Sequence, residues 1–161
     1  MAKGDYVSDL TINEKVMMGI FRVSEFFKKK STELFAKYGV TFSQYNVLRA
    51  IGSSENGQNN INNIRKIMVV SGPNITMIAK RLEKNGFLLR ERDPGDERVT
   101  LLKITPKGRR TLNKIIKHKN EFLEEILEDY PEEMKSQFAL EVKKFLKNTT
   151  TLRNNQNTIN N

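Results

Sequence analysis

Between Ile12 and Tyr38 the apolar positions Val16, Ile20, Val23, Phe27, Leu34 and Tyr38 recur at steps that fit a 3.6-residue period. Glu25, Lys28, Lys29 and Glu33 fill other faces. The pattern predicts one helix, about 40 Å long at ~1.5 Å per residue, closed by Gly39. Met17, Phe21, Phe26 and Phe35 bring its apolar positions to more than one buried seam requires. A second helix follows a cap at Thr41 or Ser43 and runs through Tyr45, Val47, Leu48 and Ile51. Gly52-Ser53-Ser54-Glu55-Asn56-Gly57 is turn chemistry. Asn59 or Asn60 then caps a short third helix containing Ile61, Ile64, Ile67 and Met68. Ser71-Gly72-Pro73-Asn74 signals another helix start, with proline in the first turn, where its missing N–H costs nothing. This fourth helix runs to Asn85, burying Ile75, Ile78, Ala79 and Leu82, and Gly86 ends it.

Two runs that read as strands come next, Phe87–Arg92 and Val99–Ile104. Asp93-Pro94-Gly95-Asp96 between them makes the pair a hairpin. Thr105-Pro106 opens a fifth helix whose stripe is Leu112, Ile115, Ile116, Phe122, Leu123, Ile126 and Leu127. Pro131 breaks it, and a last helix from Glu132 carries Phe138, Val142, Phe145 and Leu146. From Asn148 the composition turns to Thr, Asn and Gln without periodicity, which predicts a frayed tail. The expected fold is mainly α with a small β-hairpin wing. Short helices, a turn and a hairpin in that order form a winged helix-turn-helix, and a helix is about as wide as the major groove of duplex DNA.

Charge sharpens this picture. Of a net +9 over 161 residues, the segment 61–110 holds twelve Lys/Arg against five Asp/Glu, a local +7. A concentration of that kind is the footprint of a polyanion-binding face. Zero cysteines close thiolate metal sites, cysteine nucleophiles and thiol redox sensing, and one histidine leaves little for a metal or haem site. No metal and no cofactor is expected. Gly-rich phosphate loops and nucleophile elbows are missing too, so no enzyme is expected. No apolar run approaches the ~18–20 residues of a membrane span, and the polar start lacks a secretion signal. A cytoplasmic location follows as the expectation.

Several stretches carry a family resemblance. They are Gly39-Val40-Thr41-Phe42-Ser43-Gln44-Tyr45-Asn46-Val47-Leu48, then Ser71-Gly72-Pro73-Asn74-Ile75-Thr76, then Arg81-Leu82-Glu83-Lys84-Asn85-Gly86-Phe87. After them come Arg90-x-Arg92, Asp96-Glu97-Arg98 and Leu102-Lys103-Ile104-Thr105-Pro106-Lys107-Gly108. In order and spacing the chain resembles the MarR (multiple antibiotic resistance regulator) family over roughly residues 10 to 147. The resemblance implies a single domain, 1–161: a winged helix-turn-helix over 41–104, dimerisation helices over 10–38 and 105–147, and a flexible tail over 148–161. It implies a homodimer on a pseudo-palindromic double-stranded DNA operator, acting as a repressor answering to a small aromatic or phenolic effector. Glu97 departs from the family pattern, in which that wing position is often basic. The alternative is a winged-helix adaptor for protein or RNA, against which stand the focused positive charge and a wing without stacking aromatics.

Candidate residues follow. Ser71, Pro73, Asn74 and Thr76 occupy the first turns of the fourth helix, where hydroxyl and amide groups reach bases or phosphates; Ser71 serves equally as an N-cap. Lys80 and Lys84, four apart, suit phosphates, while Arg81 lies off that face, towards the hairpin or the neighbours of Glu83. Arg90 and Arg92 share one strand face, for phosphate contact or stem packing. The resemblance gives Arg98 a minor-groove role, favoured by the negative potential of a narrow groove, and Asp96 the bracing of the hairpin. Arg109-Arg110 at a helix start oppose the macrodipole, so an external anion is expected there. Arg22, Tyr38, Tyr45 and His118 are the candidate polar lining of the implied effector pocket, with an ordinary packing histidine the plainer role for His118.

Overall fold

The computed structural model of the chain describes residues 10–68, 75–96 and 98–159. In order come α1 (Ile12–Lys37), α2 (Phe42–Gly52), a single 3-10 turn (Glu55–Gly57), β1 (Gln58–Asn60) and α3 (Ile61–Ile67). They are followed by α4 (Ile75–Lys84), β2 (Leu88–Arg92), β3 (Thr100–Ile104), α5 (Pro106–Leu127) and α6 (Glu132–Ile159). Among the described residues the fold is thus six helices and a small antiparallel sheet. The chain divides into two compact units, one ending at Lys117 and the other beginning at His118.

The sheet has the order β1-β3-β2, so the expected hairpin gains a third strand. Leu102 at the centre faces Asn59 on one side and Arg90 on the other. The strand Gln58-Asn59-Asn60 has no apolar alternation to announce it. It forms because β3 offers a free edge whose N–H and C=O groups need partners. Asn60 also caps α3, its side chain accepting from the Asn63 amide at 2.8 Å.

Packing in the first unit is tight. Val47, Leu48 and Ile51 of α2, Ile64 of α3, Ala79 and Leu82 of α4, Leu88 and Leu102 of the sheet, and Ile115 of α5 have no exposed surface. Each such aliphatic side chain beyond alanine contributes roughly 1.5–3 kcal/mol by leaving water. Two helices end in the same way. At α1, Gly39 (φ +68°) and Val40 donate to the carbonyls of Ala36 and Phe35 at 3.0 and 3.1 Å. At α4, Gly86 (φ +72°) and Phe87 donate to Glu83 and Leu82 at 2.8 and 2.9 Å. Both are Schellman motifs, in which glycine takes the left-handed residue. Val40 and Phe87 bury against the core with Phe35 and Leu82.

α1 and α6 behave differently. Only Phe35 of α1 is buried, and Ile12, Val16, Met17, Ile20, Phe21 and Val23 are exposed. On α6, Met134, Phe138, Val142, Phe145 and Leu146 are exposed as well. The stretch from Asn148, expected as a frayed tail, instead continues α6 as helix to Ile159. No Pro or Gly follows Pro131 to stop it. The hydroxyls of Thr149 and Thr150 donate to the Leu146 carbonyl, and Thr151 donates to Lys147, inside the helix. Among the described residues no helix is long and apolar enough to cross a membrane.

Candidate nucleic-acid interface

The spacing of α4 sorts its side chains. Ile75, Ile78, Ala79 and Leu82 at i, i+3, i+4 and i+7 face the core. That leaves Met77, Lys80, Arg81 and Lys84, with the same spacing, exposed on the other side, and Thr76 half-buried at the flank. Arg81 therefore stands with the lysines instead of turning to the hairpin. It is Arg90 that meets Glu83: its amide donates to Glu83 Oε1 at 3.2 Å, and its guanidinium lies 3.7 Å from Oε2.

The period of the strand explains that pairing. Arg90 is two residues from buried Leu88, hence on the same sheet face, cross-strand from buried Leu102. Its side chain is one-quarter exposed, and its Nε is buried without a hydrogen-bond partner. A cation so placed needs a counter-charge nearby. Glu83 supplies it and ties α4 to the wing. Arg92, one period further out, is exposed.

At the wing tip the chain is held by its own carboxylates. Asp93 Oδ1 accepts from the Gly95 amide at 2.8 Å, and the Asp93 and Val99 amides donate to the carbonyls of Val99 and Asp96. Asp96 Oδ1 accepts from the Arg98 amide at 3.0 Å and lies 3.7 Å from Arg98 Nε. The Arg98 side chain is nonetheless 95% exposed. The result is a fixed backbone presenting a solvated guanidinium. Ser71, Pro73, Asn74 and Glu97 lie outside the described residues.

Two further cations, Arg65 and Lys66, are exposed in the last turn of α3. Sequence reasoning passed over them, and their signal was the local excess of charge that they help to make. Arg109 corrects an expectation in the opposite direction. Instead of awaiting an external anion, its Nη1 donates to the Gly52 carbonyl at 2.5 Å, at the C-terminal end of α2. The partial negative charge of that helix end takes the anion's place.

The effector candidates are placed as follows. Arg22 is exposed on α1, and Tyr38, the C-cap of α1, is half-buried. Tyr45 is sealed in the core, its ring stacked on Phe35 at 4.7 Å and its hydroxyl buried without a hydrogen-bond partner. His118, half-buried on α5, opens the second unit.

Residues 28–115, just over half of the chain, match the protein family described as transcriptional regulator SarA/Rot. The HTH-type transcriptional regulator SarZ of Staphylococcus saprophyticus is 30% identical over 101 residues, covering 63% of this chain and 68% of that protein. Among solved structures, AbsC, a MarR family transcriptional regulator from Streptomyces coelicolor, superposes with a TM-score of 0.74 at 17% identity. That alignment covers 88% of this chain and 97% of AbsC. The S. aureus MepR–DNA complex gives 0.71 at 19% identity, over 87% of this chain and 99% of MepR. At such identities the two structures speak for the fold, which is MarR-like.

Proposed function

The chain belongs to the SarA/Rot family, winged helix-turn-helix transcriptional regulators that bind DNA and are not enzymes, and from that premise we propose how it does so. α4 enters the major groove with its N-terminal residues, and the wing lies along the flanking backbone. The observation that carries this is the exposed face of Lys80, Arg81 and Lys84, joined through Glu83 and Arg90 to a wing whose Arg98 points into solvent. Lysine and arginine there neutralise phosphates and release counterions. Arg98 is suited to a narrow minor groove. In this proposal Ser71, Pro73 and Asn74, which precede α4 in the sequence, and Thr76 in its first turn meet the DNA. The neutral groups of Ser71, Asn74 and Thr76 gain most when base edges match them.

The active species in this proposal is a homodimer on a pseudo-palindromic operator, with half-sites about one helical turn apart. The exposed apolar residues of α1 and α6 support it. Repression relieved by a small aromatic or phenolic effector completes the proposal. An effector acts by preferring the lobe arrangement that fits DNA poorly.

Measuring each variant on operator and scrambled duplex across a salt series tests the division of labour. Asn74→Ala is expected to cost on the order of 1–3 kcal/mol on the operator and little on scrambled DNA. Lys84→Ala should weaken both equally and flatten the salt dependence by about one unit of slope. Equal losses on both duplexes for Asn74→Ala would show that α4 does not read bases.

A further inference from the structure

The N-terminal turn of α5 carries Lys107, Arg109 and Arg110 where the positive end of a helix dipole should repel them. The positions of the first two resolve the conflict. The Schellman motif satisfies the carbonyls of Leu82 and Glu83 at the end of α4 and leaves those of Asn85, Gly86 and Phe87 seeking donors. α5 and the residue before it supply all three. Lys107 Nζ donates to Asn85 O at 2.8 Å, Thr105 Oγ1 to Gly86 O at 2.7 Å, and the Thr105 amide to Phe87 O at 3.1 Å. The Lys107 ammonium also sits 4.9 Å above the Phe87 ring, within cation–π range.

Glycine brings the elements this close. A Cβ on Gly108 would come within 2.0 Å of the Phe87 carbonyl oxygen. On the other side Arg109 holds the Gly52 carbonyl, and a Cβ on Gly57 would meet its guanidinium at 2.6 Å. Two of the three cations that oppose the dipole of α5, Lys107 and Arg109, thus lie on the negative ends of α4 and α2.

We propose that the first turn of α5 is a two-pronged cap, with Lys107 and Thr105 on α4 and Arg109 on α2. In this scheme Lys107 is a positioning residue for the DNA contact of α4 and not a phosphate ligand. The cap fixes the end of α4 remote from its reading turn, about 15 Å away at ~1.5 Å per residue, so that α4 follows α5 in direction. This rests on the docking of α4 proposed above.

The test uses the full chain as Lys107→Met and Lys107→Arg, with Lys84→Ala as control. Amide exchange is read without DNA, and affinity for a duplex selected by the unaltered protein is read across a salt series. Lys107→Met is expected to speed exchange at Asn85, Gly86 and Phe87 and to weaken duplex binding about two- to fivefold. The slope of log K against log salt should stay unchanged, and Lys107→Arg should restore both readouts. A slope reduced by about one unit makes Lys107 a phosphate contact and overturns the proposal. Unchanged exchange overturns the cap, and faster exchange with unchanged affinity overturns the positioning role. Lys84→Ala separates the premise: if its slope does not fall, the docking of α4 fails, while the cap is still judged by exchange.

Discussion

α4 and α6 are both helices with apolar residues at helical spacing, yet they stand in opposite relations to water. Every apolar residue on the core face of α4 is buried, and its exposed face is three cations and Met77. On α6 the stripe of Phe138, Val142 and Phe145 is exposed. Periodicity alone does not separate these cases, because it records that a face seeks cover and not whose cover it finds. α4 finds its cover within the chain, from α2, α3 and the sheet. An isolated helix of 28 residues without much alanine gains little from propensity alone. In the proposed function its cover comes from a second copy.

The largest effect expected from this contrast is in the core. Leu82→Ala should lower stability by about 2–5 kcal/mol, the range for a buried leucine that leaves a cavity. Denaturant titration at several protein concentrations should give the same loss at each. If the loss changes with concentration, α4 depends on assembly as α6 is held to do, and the contrast disappears.

Assembly comes second. Phe138→Asp or Phe145→Asp should raise the dimer dissociation constant roughly 10²- to 10⁴-fold, since a homodimer loses two phenylalanines, each worth roughly 1.5–3 kcal/mol. Sedimentation across a concentration series reads it, and near-ultraviolet circular dichroism of the tyrosines checks that the first unit keeps its packing. Tyr45 is a suitable reporter there because its ring is stacked on Phe35. An unaltered dissociation constant would move the interface off α6.

The same contrast explains which parts of the molecule were legible in the sequence. α2, α3 and α4 and the hairpin could be read because each pairs a periodic apolar face with a residue that starts or stops it. Asn60 caps α3, and Gly86 ends α4. β1 was illegible because three polar residues become a strand only when β3 is beside them. The last turns of α6 were illegible for a related reason, since their Thr and Asn residues carry no stripe. In the candidate site, the exposure of Lys80 and Lys84 followed from their spacing. The engagement of Arg90 by Glu83, and of Arg109 by Gly52, did not. Those contacts join residues 7 and 57 positions apart, and a cation in sequence looks the same whether a carboxylate, a helix end or a phosphate receives it. Pairing of that kind is decided by the fold.

The smallest effect concerns two helix starts built alike. Thr11 and Glu14 at α1, and Thr41 and Gln44 at α2, each form a capping box. In both, the threonine hydroxyl accepts from the third helical amide at 3.3 Å, and that residue's side chain accepts from the threonine amide at 2.8 Å. They differ in charge and cover. Gln44 is neutral and buried, whereas Glu14 is exposed and ionisable. The Thr11 hydroxyl, and then the Thr11 amide, hold the Glu14 carboxyl below its ordinary value by hydrogen-bonding the charged form. A carboxyl whose pKa is lowered on folding stabilises the folded form above its unfolded pKa, and that contribution is lost as pH falls through the folded one. Acidification should therefore loosen the first turn of α1 while the first turn of α2, with nothing to titrate in its cap, stays closed. Amide exchange at Glu14 and Gln44 across a pH series, corrected for intrinsic rates, reads the two ends side by side. Glu14→Gln should make α1 as insensitive to acid as α2. If both starts open together, acid is acting on the shared core and not on the cap, and the difference between the starts of α1 and α2 is lost.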